Sequence, residues 1–152
     1  TKVTVAWEWM RTHIPHMFLQ AILHLSENPQ FYIEKQSRDP TLSLRCYPRT
    51  ISDGKIDWNH SSLDILRLIN ATNRPYNGAF CDLNGEKLII WDAQLADNSQ
   101  PFCAVPGQIT RIEEQFVEVA CHSSMLRITL CEINNTVQPP SNIIKSLRTR
   151  LK

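Results

Sequence analysis

Three histidines near the start of the chain have the right chemistry for metal ligation. His13 and His16 stand three residues apart, and His24 lies two turns beyond His16. A metal ion would need neutral imidazoles on one face and further ligands beside them. No carboxylate or cysteine stands at a matching offset, and Pro15 spoils the helical geometry that would align the first pair. No metal site is expected. Five cysteines follow, Cys46, Cys81, Cys103, Cys121 and Cys131, odd in number and without C-x-x-C spacing. Cys81, Cys121 and Cys131 fall inside strand-like runs. They read as buried free thiols of a reducing compartment rather than as a zinc site or a disulfide framework. Arg45, Tyr47 and Arg49 form a polar, aromatic tip. It either touches a ligand or partner, or is a surface crossover with solvated arginines, and the second is the simpler reading.

These residues need elements to hold them. Val5 to Glu27 has a helical pattern, with Trp9, His13, Leu19, Ile22 and Leu23 on or near one stripe. Pro15 lacks the N–H that a helix interior uses, which predicts two helices or a kinked one around His13–Pro15. Asn28-Pro29 stops the pattern. Phe31 to Ser52 has no helical period, is punctuated by Pro40 and Pro48, and reads as an extended surface linker. Asp53-Gly54 is a turn signal, and Ile56-Asp57-Trp58 a short extended piece. Ser61 is the expected N-cap of a helix, with Asp64 completing a Ser-x-x-acid capping box. Ile65, Leu68, Ile69 and Thr72 form its apolar stripe. Asn73-Arg74-Pro75 ends it, because a proline disfavours the helical region for the residue before it.

Asn77-Gly78 turns the chain into a hairpin. Ala79–Leu83 and Glu86–Trp91 flank Asn84-Gly85, the strongest short-range hairpin signal. A two-residue loop fixes the register: Leu83 faces Glu86, Asp82 faces Lys87, Cys81 faces Leu88 and Phe80 faces Ile89. A loop from Asp97 to Pro106 leads into Gly107–Ile112, whose apolar residues fall out of strict phase and imply a bulge, with Gly107 the candidate to supply it. Phe116 to Ala120 and Leu126 to Glu132 are further strands, the second after a Ser123-Ser124 turn. Pro139-Pro140 ends the sheet region. Ser141 then caps an expected C-terminal helix, with Ile143, Ile144, Leu147 and Leu151 on one stripe and Lys145, Arg148 and Lys152 towards the other side. A docked helix with a solvated basic face is the simpler reading of that tail, and a phosphate- or RNA-contacting one the alternative. The fold class is α+β. Lead-in helices and a linker precede a small five-stranded β-barrel or twisted sheet with one capped helix and a C-terminal helix.

Composition narrows the function. Hydrophobic residues make up 42% and charged residues 20%, which fits a globular protein with a core. A formal net charge of +1 argues against a protein that coats nucleic acid, while leaving room for a local basic patch. The apolar runs are too short for a membrane helix, and the first residues lack the pattern of a signal peptide.

The run IDWNHSSLDILRLINATNRPYNGAF, then LNGEKLIIWDAQL, then VPGQI, resembles the C-terminal domain of the 10-formyltetrahydrofolate-dependent formyltransferases. That family includes methionyl-tRNA formyltransferase and the sugar N-formyltransferases. The likeness runs from Asp53 to about Ile133. It implies an OB-like barrel, in agreement with the strand count. It also implies that residues 1–52 are the tail of a catalytic domain and the interdomain linker, and that 53–152 are the C-terminal domain.

The family's catalytic Asn, His and Asp lie in an upstream folate-binding domain, and none is recognisable here. His24-Leu25-Ser26-Glu27-Asn28-Pro29 repeats the His-x-Ser-x-x-Pro frame but lacks its paired leucines and reads as coincidence. No catalytic residue is therefore assigned, and whether the chain alone is an enzyme stays open. The resemblance implies formyl transfer from 10-formyltetrahydrofolate to a primary amine in the complete enzyme. The folate would be held by the upstream domain, with no cofactor in this chain. An amino-sugar nucleotide is the preferred acceptor and methionyl-tRNA the second. The domain would position substrate or form a homodimer, in the cytoplasm. Arg49, Trp58, Arg74 and Tyr76 are the expected substrate contacts, arginine through its planar fork and the aromatics by stacking, with core packing the leading role for Trp58. A different class stays in view: a stand-alone OB-like module that binds nucleic acid or protein without catalysis.

Overall fold

A computed structural model of the chain describes residues 1–28, 35–44, 46–97, 103–122 and 124–152. Two compact units are present. One comprises Thr1–Thr4 with Thr50–Lys152, the other Val5–Arg49.

Helix α1 spans Val3–Glu27 without a break, so Pro15 does not divide it in two. A proline costs one helical hydrogen bond and a steric adjustment, and the turns on either side carry the helix past it. No residue of α1 is buried, and Trp9, Ile14, Met17, Phe18 and Ile22 are among its exposed apolar side chains. His13 stacks on Trp9 at 4.4 Å between ring centroids and bonds through Nδ1 with the Trp9 carbonyl at 2.8 Å. The His-x-Ser frame lies at the end of this helix, where Ser26 donates to the Leu23 carbonyl at 2.8 Å. Its Pro29, like Phe31 and Arg45 of the expected linker, lies outside the described residues. The linker includes a short 3₁₀ turn at Pro40–Leu42, capped by Asp39, whose carboxylate accepts from Thr41 N–H at 2.9 Å.

The larger unit opens with a 3₁₀ turn at Ile51–Gly54 and then helix α2, Ser62–Ala71. Ser61 caps α2 as expected, accepting from the Asp64 N–H at 3.2 Å. The Asp64 carboxylate answers the Ser61 hydroxyl, at 2.7 Å. Ile65, Ile69 and Thr72 are buried on the stripe read from the sequence. Among the described residues six strands follow: β1 Ala79–Leu83, β2 Glu86–Leu95, β3 Ile109–Ile112, β4 Val117–Ala120, β5 Met125–Ile133 and β6 Thr136–Gln138. They form one antiparallel open sheet in the order β1-β2-β5-β4-β3, with β6 also on β5. The expected count was five. β6 is a three-residue return after Asn134-Asn135, both at positive φ, and is too short to carry an alternation signal.

The β1–β2 register is the one deduced from the Asn84-Gly85 loop, pair for pair, and both turn residues have positive φ. Asp82 and Lys87 do face each other, but they bond elsewhere. Asp82 accepts from the Gly85 N–H at 3.1 Å, while the Lys87 ammonium lies 4.2 Å from the centre of the Phe80 ring. The bulge expected near Gly107 falls between Ile109 and Arg111. Ile56, Trp58, Ile65, Ile69, Leu88, Ile90, Leu126 and Ile128 belong to the core between α2 and the sheet.

The C-terminal helix is not formed. A 3₁₀ turn at Pro140–Asn142 is followed by irregular chain with a turn at Leu147 and Arg148, and only the last residues run along the sheet edges. Ile144 and Leu151 are buried as the helical stripe required, but Leu147 is 51% exposed. The reason lies in the open edges of the sheet. Leu151 N–H donates to Gly107 O at 2.8 Å, and Ile109 N–H donates to Thr149 O at 3.1 Å, both beside β3. Lys152 N–H donates to Asp82 O at 3.0 Å, on β1. A short isolated helix is marginal in water, whereas these bonds satisfy unpaired edge groups and bury Leu151. Gly107, at φ +84, makes room for them, because a Cβ there would collide with the Leu151 carbonyl.

Leu151→Ala is expected to cost about 2–4 kcal/mol. Urea denaturation measures that loss. Hydrogen exchange at Asp82 and Ile109 should speed up together, since one segment closes both edges.

Candidate functional site

The chain leaves α2 through Thr72 and Asn73, and this turn builds a polar site against β2. Asn73 is buried, and its amide makes three hydrogen bonds. Nδ2 donates to the Trp91 carbonyl at 2.7 Å, and Oδ1 accepts from Arg74 N–H at 3.0 Å and from the Thr4 hydroxyl at 3.1 Å. The Arg74–Pro75 peptide is cis. Arg74 and Tyr76 stand on one short loop, Tyr76 N–H donating to Asn73 O at 3.0 Å.

Trp91 faces this loop from an irregularity in β2. The β2–β5 register shifts on both sides of Asp92, and Trp91 has no partner of its own in it. Ile90 and Trp91 are both buried, where regular alternation would expose one of them. The Arg74 guanidinium carbon sits 4.8 Å from the centre of the Trp91 ring. Trp91 Nε1 donates to Glu132 Oε2 at 2.7 Å, and the same oxygen is 3.7 Å from Arg74 Nη2. Glu132, at 16% side-chain exposure, anchors the group, while Arg74, at 61%, keeps most of its fork in water. A guanidinium stacked on an indole and held by one carboxylate is pre-oriented to take a second anion. Tyr76, 54% exposed, lies two residues further along the same loop.

Next along β2, Asp92 accepts from the Thr129 hydroxyl at 2.8 Å and pairs with Lys2 at 2.6 Å. Partial burial works to raise its carboxyl. The bonds from Lys2 and Thr129 outweigh that and hold it below the ordinary carboxylate value.

The other expected contacts lie elsewhere. Trp58 is a core residue, 4% exposed, and it also lines a cleft of about 450 Å³ between Lys55–Asn59 and the final residues. Arg49 is exposed and belongs to the Val5–Arg49 unit. Sequence reasoning missed Trp91 and Glu132. The only hint was the unbroken Ile89-Ile90-Trp91 run, and nothing in it names a partner 41 residues away. Cys81, Cys121 and Cys131 are buried as expected. Burial pushes all three thiols up, the last two to about 12, so none supplies a nucleophile. Among the described residues no three of His, Cys, Asp and Glu gather as metal ligands. No helix of the described residues is long and apolar enough to cross a membrane.

Glu132→Gln keeps an acceptor for Trp91, whereas Glu132→Leu strands a buried indole N–H. The leucine variant should lose about 1–3 kcal/mol more than the glutamine variant in chemical denaturation. Asp92 gives a pH test. Its depressed folded value means stability that is present above the unfolded value of about 3.9 and is lost as pH falls through the folded value. The Tm deficit of Asp92→Asn should therefore be largest at neutral pH and shrink on acidification below that value.

The model of the formyl transferase C-terminal domain matches residues 50–148. Methionyl-tRNA formyltransferase of Ruminiclostridium cellulolyticum is 29% identical over 109 residues, a match that takes in 70% of this chain and 33% of that protein. The chain therefore spans about a third of the length of that curated relative (33%). HypX from Aquifex aeolicus, in its crystal structure with tetrahydrofolic acid, has a TM-score of 0.64 at 14% identity over 88% of this chain and 23% of that one. A multiply substituted HypX variant gives 0.62 at 14% identity, over 86% and 22%. At such identity the HypX likeness speaks for the fold alone. The family match rests on sequence, and it covers the stretch whose Ile-Asp-Trp entry, capped helix, Asn-Gly hairpin and Pro-Gly strand carry the resemblance: the chain belongs to the formyl transferase C-terminal domain family.

Proposed function

We propose that this chain is the C-terminal region of an enzyme that transfers a formyl group from 10-formyltetrahydrofolate to a primary amine. An amino-sugar nucleotide is the first choice of acceptor and methionyl-tRNA the second. The family match over residues 50–148 carries the reading. Folate binding and proton transfer belong to an upstream catalytic domain, and residues 1–52 are its tail and the linker. The bare apolar surface of α1 supports that assignment. A helix with Trp9, Ile14, Phe18 and Ile22 exposed wants a partner surface. Such an enzyme would work in the cytoplasm.

Within it, the Arg74 loop positions the acceptor. Both preferred acceptors carry phosphate, and Arg74 presents an oriented, half-free fork on the loop that also carries Tyr76. The Glu132 carboxylate and the Trp91 face hold that fork in one place, which reduces the entropy lost when an anion is bound. No proton or formyl group is handled here.

Two measurements test this. The intact mass of the protein from its native gene should lie well above 17.5 kDa; a mass at that value would leave the stand-alone binding module as the better reading. In the complete enzyme Arg74→Ala should raise KM for the acceptor about tenfold, as one charge-assisted contact would, with KM for the folate unchanged. Unaltered acceptor KM would remove Arg74 from the substrate site.

A further inference from the structure

We infer that the cleft at the seam of the sheet is a binding site for a phosphate-bearing small anion, of the nucleoside diphosphate class. The site is separate from the Arg74 loop and does not rest on the formyltransferase reading.

Two backbone segments form its walls. The entering chain is fixed where Ile56 N–H donates to Phe80 O at 2.8 Å. The leaving chain is fixed by the bonds of Leu151 and Lys152 to Gly107 and Asp82. Lys55 stands on the first wall, and Arg150 and Lys152 on the second. Among the described residues none of these three cations takes part in an ion pair. Arg150 is held by one bond, Nε to the Pro106 carbonyl at 3.0 Å, which leaves its terminal nitrogens to serve a ligand. The one side-chain carboxylate among the described lining residues is Asp57, and it is already committed. Its Oδ1 accepts from the backbone N–H of Asn59 at 3.0 Å and from Asn59 Nδ2 at 2.7 Å. Three side-chain cations against one engaged side-chain carboxylate leave the lining side chains net positive.

A second observation points the same way. Trp58 lines the cleft, and its buried indole N–H is without a hydrogen-bond partner among the described residues. Buried donors are rarely left unmade, since each costs its desolvation. An acceptor-rich anion in this cleft would neutralise the cations in its lining and bring acceptors to the wall that holds the unmet Trp58 donor. Phosphate oxygens do both, and a volume of about 450 Å³ exceeds a phosphate and suits a nucleotide.

The test uses the ¹⁵N-labelled chain and the Trp58 indole resonance, assigned through ring NOEs among the four tryptophans. Inorganic pyrophosphate and UDP are titrated separately at low salt. The expected result is a saturable downfield shift of Trp58. It should weaken about tenfold in Lys55→Gln/Arg150→Gln, as the loss of two ionic contacts implies, and weaken further with added salt. These two side chains are exposed, so the double variant should stay folded, which its spectrum verifies. Equal affinity for the two probes marks the anion itself as the ligand; tighter UDP marks the nucleotide. No saturable shift up to about 10 mM, the weak limit for a useful site, would overturn the proposal. So would affinity unchanged in the double variant, or a response to an RNA oligonucleotide alone.

Discussion

An antiparallel sheet that does not close on itself leaves two rows of unpaired backbone groups, and meeting that demand organises the larger unit. β1 and β3 are the ends of the strand order. Thr149–Lys152 bonds to both, at Asp82 on one side and at Gly107 and Ile109 on the other. Lys55 and Ile56 add a parallel contact along β1 at Phe80. Edges covered in this way are not open to another chain. The same closure seats Leu151 in the core, demands a glycine at 107, and brings the entering and leaving segments side by side. The cleft lined by Trp58 is a consequence of how the edges are satisfied.

A second constraint, the irregularity at Trp91, shapes the Arg74 loop. A regular strand would put Ile90 and Trp91 on opposite faces, one of them in water. The register shift leaves both buried, and the strand's departure from the ladder gives Asn73 access to the Trp91 carbonyl. Asn73 then bonds to Arg74 and Thr4 as well, so loop and strand are joined through one amide. Buried polar networks of this kind fix geometry because every alternative leaves a donor or acceptor unmade. The position of Arg74 is therefore inherited from the strand rather than chosen by the loop.

What could be read from the sequence was local. The Asn84-Gly85 hairpin register, the Ser61 cap and the Ile65–Ile69 stripe are set by residues within a few positions of each other, and all three hold. The errors are non-local. Ile143, Ile144, Leu147 and Leu151 have helical spacing, but the partners that decide the segment's conformation are Gly107 and Asp82, many residues upstream. Asp82 and Lys87 were placed opposite each other correctly, yet the carboxylate prefers its own turn and the ammonium the neighbouring ring. Register follows from spacing, whereas the choice among polar partners depends on what else lies within reach. Glu132 could not be matched to Trp91 for the same reason: its strand reads as a plain alternation.

Net charge says nothing of where charge lies, for a related reason. The chain totals +1, yet Lys145, Arg148, Arg150 and Lys152 fall within its last eight residues, and no acidic residue follows Glu132. Averaged over the molecule this cancels. In space it does not, because a field at a surface is set by charges within about a Debye length, roughly 10 Å at 0.1 M salt. On a helix those side chains would have spread round a cylinder. In the extended closing segment alternate residues share a face, so Arg150 and Lys152 fall together beside Lys55 in the lining of one cleft. The conformation imposed by the open sheet edges thus concentrates a charge that composition alone conceals.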